Sequence, residues 1–98
     1  MNINNNYVIE KLLLILKEMY NRDYYNSWED IKDLDLLGYE MNFMPRDLIY
    51  LFFDVEKVFG IIISQDYVIK GSFSNLANIA SMVFHELESK KSLNASII

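Results

Sequence analysis

The stretch MNFMPRDLIYLFFDVEKVFGIII, Met41 to Ile63, decides how this chain is read. Pro45 suits a first helical position, where the missing N–H would have had no partner anyway. Asp47, in the turn that follows, complements the positive end of the helix dipole. Leu48, Leu51, Phe52, Val55, Val58 and Phe59 then recur at spacings of three and four and make one apolar stripe. Gly60 is a good stop. The residues IIIS after it form an extended link across the core. The spacing predicts a helix from Pro45 that ends at Gly60. That stripe alone suffices to bury the helix. Ile49 and Phe53, four residues apart, lie beside it, with Arg46 and Tyr50 close by. Two readings stand together. The core stripe is wide, or these four residues form a second patch that faces a partner protein.

Working outward, a first helix is expected from about Asn6 to Tyr20. Ile9, Leu12, Leu13, Leu16, Met19 and Tyr20 make its apolar stripe, and Glu10, Lys17 and Glu18 fall largely on the other side. Asn4 to Asn6 are candidate N-caps. Leu14 and Ile15 widen the stripe, so this helix should be contacted on more than one side. A long connection, Asn21 to Met44, follows. Connections of that length usually carry function or hide short structure. Ser27, with Asp30 three residues on, resembles an N-cap arrangement and predicts a short helix near Trp28 to Leu34. Trp28, Ile31, Leu34 and Leu37 are expected to tuck the connection onto the bundle, and Gly38 to end that segment. Beyond the link, Ser64 should cap a short helix over 65–70 that Gly71 closes. Ser74 should cap a last helix with Leu76, Ile79, Ala80, Val83, Phe84 and Leu87 inward. Residues 1–90 read as one helical domain. Residues 91–98 read as a flexible tail, in which Ile97 and Ile98 can still dock.

With 98 residues, 52% of them hydrophobic and 23% charged, the chain is one domain's worth and can bury a core. Three glycines and one proline favour helices over a sheet with many turns. A net charge of −5 argues against nucleic acid, because phosphate contacts need clustered Lys and Arg. It also disfavours an anionic membrane surface, while a basic protein partner is compatible. The absence of cysteine excludes disulfides and a thiol nucleophile. The N-terminal residues lack the pattern of a secretory signal, and no apolar run is long enough to span a bilayer. A cytoplasmic protein is expected.

Little reactive chemistry is visible. His85 is the only histidine, so with no cysteine a zinc site is not expected, and no nucleophile-elbow pattern accompanies it. A surface or half-buried structural histidine is the simpler reading. Asp30, Asp33 and Asp35 lack the alternating ligands and central glycine of a calcium loop. They read as a solvated acidic stretch or a contact for a basic partner. Ser27, Ser64 and Ser74 fit caps better than nucleophiles.

The order is helix, long loop, helix, short helix, helix. With DLIYLFFDVEKVFGIII and then Phe73 to Ile79, FSNLANI, it resembles an acyl carrier protein over roughly Tyr7 to Leu87. Glu56, Lys57, Phe59, Gly60, Ile61 and Ile63 match the end of that family's second helix and its alternating link. Phe73, Leu76, Ile79 and Val83 match the start of its last helix. The resemblance implies an all-α four-helix bundle with a long first loop and a short third helix. It also implies a serine, in Asp-Ser-Leu at the head of the second helix, that carries phosphopantetheine. Counting back from Phe59-Gly60 places that serine at Pro45, and counting forward from LLGYE places it at Met41. Neither residue can form the phosphodiester. Between Ser27 and Ser64 there is no Ser, Thr or Cys, and the chain has no Asp-Ser pair.

LLGYEM and PRDLIYLFFDVEKVFGI are similar to a narrower group, the acyl carrier-related proteins of bacterial peptide (bacteriocin-like) maturation systems. That implies an accessory protein whose partner is a peptide-maturation enzyme. In carrier proteins this helix is the face that enzymes recognise, so the resemblance favours Arg46, Ile49, Tyr50 and Phe53 as partner-binding residues. The expectation is a non-catalytic interaction module without catalytic residue, cofactor or metal. The alternatives are a genuine acyl or group carrier with an atypical attachment residue and a bacteriocin immunity protein.

Overall fold

A computed structural model describes the backbone of residues 5–24, 27–69, 71 and 73–97, and the side chains of these except 5, 69 and 91–97. The chain is all-helical. Its elements are α1 (Asn5–Tyr20), α2 (Trp28–Ile31), α3 (Pro45–Phe59), α4 (Gln65–Ile69) and α5 (Leu76–Ile97), and there is no strand among the described residues. Helix α1 packs on both α3 and α5. It meets two partners because its apolar residues span more than one stripe. Val8, Leu12, Leu13, Ile15 and Leu16 are all buried. Val8 joins this set unannounced by the expected spacing. Met19 and Leu14 do not belong to it, since each is 48% exposed.

The start and stop of α3 are set by local chemistry. The Asp47 carboxylate accepts the Met44 N–H at 2.8 Å, which satisfies a donor that the first helical turn leaves open. At the other end Gly60 sits at φ +65°, in the left-handed region that favours glycine, and its N–H returns to the Glu56 carbonyl. Beyond it the link alternates as expected. Ile61 and Ile63 are buried and Ile62 is exposed. The Glu56 carboxylate accepts the Ile63 N–H at 2.8 Å, so one side chain of α3 holds the link in place.

Long-range bonds tie the described parts of the connection from α1 to α3 together. Asn21 takes a left-handed φ of +56°, and the Arg22 N–H reaches back to the Leu16 carbonyl at 2.9 Å. The Arg22 guanidinium lies 4.2 Å from the Phe43 ring centroid and donates to the Met41 and Asn42 carbonyls. Helix α2 is a single turn, shorter than the expected Trp28–Leu34 segment. Ser27 supplies its backbone carbonyl to Asp30 and Ile31 and makes no side-chain cap. Ile31 is buried and Trp28 and Leu34 are half-buried, as expected. Leu37 corrects that set. Leu36 fills the core at 0% exposure, whereas Leu37 stands 49% exposed. Gly38 closes that segment, its N–H forming a tight turn onto the Asp35 carbonyl, and the connection continues to Met44 as expected.

Ser64 acts as expected, with its hydroxyl accepting the Asp66 N–H at 3.3 Å. The end of α4 at Lys70 lies outside the described residues. Ser74 does not cap α5. Asn75 does, with its side-chain oxygen 2.8 Å from the Asn78 N–H, while the Ser74 carbonyl receives the Leu36 N–H. Leu76, Ile79, Ala80, Met82, Val83 and Leu87 of α5 are buried. Its helical backbone continues to Ile97, through the segment expected as a tail from residue 91, and whether Ile97 and Ile98 dock lies outside the described side chains.

Candidate functional site

Helix α3 divides into two faces. Leu51, Val55 and Phe59 point into the core, Leu51 and Val55 at 0% exposure. Leu48, Phe52 and Val58 are half-buried along the margin. On the outer side Arg46 is exposed, and Ile49, Tyr50 and Phe53 stand between 58% and 60% exposed. All four residues singled out in the sequence therefore share one accessible face. The stripe is not wide enough to cover them.

Part of that face forms the wall of an apolar groove of about 440 Å³. Pro45, Leu48, Ile49, Phe52 and Phe53 of α3 supply one side, α4 gives Gln65 and Val68, and the chain on either side of these helices gives Leu37 and Phe73. Phe52 organises it. Its ring meets Phe53 edge-on at 5.6 Å and Phe73 at 5.5 Å, so the exposed Phe53 rests on a ring that is itself anchored in the core. Leu37 and Val68 rise at the edges, about half exposed. An apolar concavity bordered by large exposed side chains suits the apolar side of another molecule.

The structure separates the two positions that counting offered for a carrier serine. Met41 is 1% exposed and lies four residues ahead of α3, packed in the core. Pro45 is exposed and is the first residue of α3, at the mouth of the groove. Only the Pro45 register places a residue where a prosthetic group could be attached, and a proline offers no oxygen for that bond.

Elsewhere the polar groups serve structure. Tyr20 donates to the Asp54 carboxylate at 2.9 Å, and burial together with that bond holds its hydroxyl proton well above the usual tyrosine range. Tyr67 donates to Glu86 at 3.0 Å, a bond that also raises the Tyr67 pKa. His85 is exposed on α5 and shares a shallow cleft of about 260 Å³ with Tyr67, Asn78 and Ser81. Asp30, Asp33 and Asp35 do not converge. Among the described residues no three acidic or histidine side chains gather as a metal-ligand set. No helix among the described residues is long and apolar enough to cross a membrane.

No known family model, curated protein or solved structure matches the chain. The functional reading therefore stands on the groove and on the residues themselves.

Proposed function

We propose that this chain is a non-catalytic acyl carrier-like protein of a bacterial peptide-maturation system, one that binds a maturation enzyme through the outer face of α3. The observation that carries the reading is the pairing of an exposed apolar face with an inert helix head. Ile49, Tyr50 and Phe53 are open to solvent beside an apolar groove, and the exposed residue at the head of the same helix is Pro45. A face kept apolar against the cost of exposing it to water fits a surface that is covered part of the time. The order of helices, the Gly60 stop and the alternating link Ile61–Ile63 fit the carrier-like bundle.

Two measurements test this. Intact mass should be unchanged after incubation with coenzyme A and a phosphopantetheinyl transferase. A photo-crosslinking residue at position 53 should capture a peptide-modifying or peptide-exporting enzyme in the producing cell, whereas one at exposed Ser81 on α5 should not. A gain of one phosphopantetheine would replace this reading with a genuine carrier using an unusual residue. Protection of cells from a peptide toxin, with no captured enzyme, would replace it with an immunity protein.

A further inference from the structure

The charge on this protein is not spread evenly. Residues 29–40 carry Glu29, Asp30, Asp33, Asp35 and Glu40 against the single Lys32, a net of −4 out of the chain's −5. All five carboxylates are exposed. Lys32 neutralises little beyond its own neighbours, lying 3.8 Å from Glu29 and 3.5 Å from Asp33. This acidic segment is fixed against the groove. Its Leu36 N–H bonds the Ser74 carbonyl at 2.8 Å, its Lys32 carbonyl receives the Ala77 N–H at 2.9 Å, and Phe73 of the groove precedes those two contacts. Leu37, which lines the groove, donates its own N–H to the Asp35 carboxylate at 3.0 Å. On the α4 side, exposed Asp66 sits between the lining residues Gln65 and Val68. Arg46 at the head of α3 and Lys57 in its last turn are the exposed basic side chains of that helix.

We infer that the occupant of the groove is an amphipathic protein segment whose apolar side chains enter between α3 and α4 and whose flank toward residues 29–40 carries lysine or arginine. This rests on the docking reading above and adds the chemistry and orientation of the partner. An apolar floor supplies contact area without direction, and the acidic wall supplies direction. A segment reversed in the groove would carry its cations away from residues 29–40 and leave those carboxylates uncompensated. A second copy of this chain is a poor occupant, because its own acidic segment would approach like charge.

The probes are a synthetic amphipathic peptide with leucines on one face and lysines on the flank, and its twin with glutamates for lysines. Binding is read by fluorescence titration and by chemical-shift changes in the full chain. The lysine peptide should bind about tenfold or more tighter at low salt, with the gap closing as salt rises. Shifts should concentrate on Leu37, Ile49, Phe53 and Val68. Phe53→Asp should abolish binding. The double change Asp33→Lys with Asp35→Lys should remove the preference for the lysine peptide while a leucine peptide with an uncharged flank still binds. Equal binding of both charged peptides would overturn the acidic-wall inference and leave the docking reading intact. No binding at the groove, or shifts elsewhere, would also overturn it. Self-association through the groove in sedimentation, lost in Phe53→Asp, would overturn it in favour of a second copy.

Discussion

Aspartate placed at two positions of α3, two residues apart, should give opposite results. Leu51 is 0% exposed, packed in the core of the bundle. Burial of a leucine contributes about 1.5–3 kcal/mol, and Leu→Ala in a core typically costs about 2–5 kcal/mol. Aspartate adds the cost of an unpaired buried charge, several kcal/mol beyond that. A domain of this size is stable by about 5–15 kcal/mol, so Leu51→Asp should leave it unfolded or nearly so. Phe53 is 59% exposed, so about two-fifths of its surface is covered. The same coefficient scaled by that fraction gives about 0.6–1.2 kcal/mol, including its contact with Phe52. For a chain of about 100 residues, 1 kcal/mol lowers Tm by about 4–8 °C. Circular dichroism should therefore show Phe53→Asp as a folded, cooperative helical protein with Tm lowered by roughly that amount. Leu51→Asp should show no native transition. If Phe53→Asp unfolds the chain as thoroughly as Leu51→Asp, α3 has one broad buried face, and the groove has no free wall to offer a partner.

Pro45→Ser gives the head of α3 a hydroxyl in the exposed register, and is the variant to assay for regained phosphopantetheine by intact mass; Met41→Ser should not be modified, because that position is buried. Tyr20 holds its proton more tightly folded than unfolded, so its contribution is whole below the unfolded pKa of about 10 and declines as pH rises above it toward the folded value. Urea unfolding at pH 9 and 11 should show a larger loss for the natural chain than for Tyr20→Phe; equal losses would remove this bond from the account. Gly60→Ala forces a Cβ into φ +65° and should cost about 1–2 kcal/mol, read as a lower urea midpoint at unchanged slope. Dialysis against a chelator should leave the helical spectrum and its cooperative melt intact, and loss of helicity would reveal a metal dependence.

What could be read from residues alone followed the strength of the local signals. Helix α3 carries a proline, a first-turn carboxylate, a periodic stripe and a glycine stop, and these agree with one another, so both ends and the core face were legible. The sequence also placed Ile49 and Phe53 beside the stripe, though whether they were buried depended on how many helices pack on α3. The connection was harder. In DLDLLGYE two periods compete, a spacing of three from Trp28, Ile31 and Leu34 that points to Leu37 and a short alternation of Asp33, Leu34 and Asp35 that points to Leu36. The choice goes with a tertiary contact, the Leu36 N–H on the Ser74 carbonyl 38 residues away, while the cap falls to Asn75 because α5 begins at Leu76, one residue later than a Ser74 cap requires. The groove was illegible for the same reason, since it needs Leu37, Val68 and Phe73 brought to α3 from three separate stretches.

The bonds that hold residues 32–43 also bear on the order in which the molecule assembles. Leu36 and Lys32 pair with Ser74 and Ala77, so neither bond can close until the start of α5 has come into place. Closing a loop of that span carries an entropic cost that local helix formation in α1 and α3 does not. The acidic wall should therefore be among the last parts to order, after the helices it lies against have met. Phe43, whose N–H returns to the Leu36 carbonyl at 2.8 Å, would order with it. In amide exchange, Leu36 and Phe43 should open together, with free energies below those of Leu51 and Val55 in the middle of α3. The side of the groove that gives a partner its direction would then be the side that breathes first.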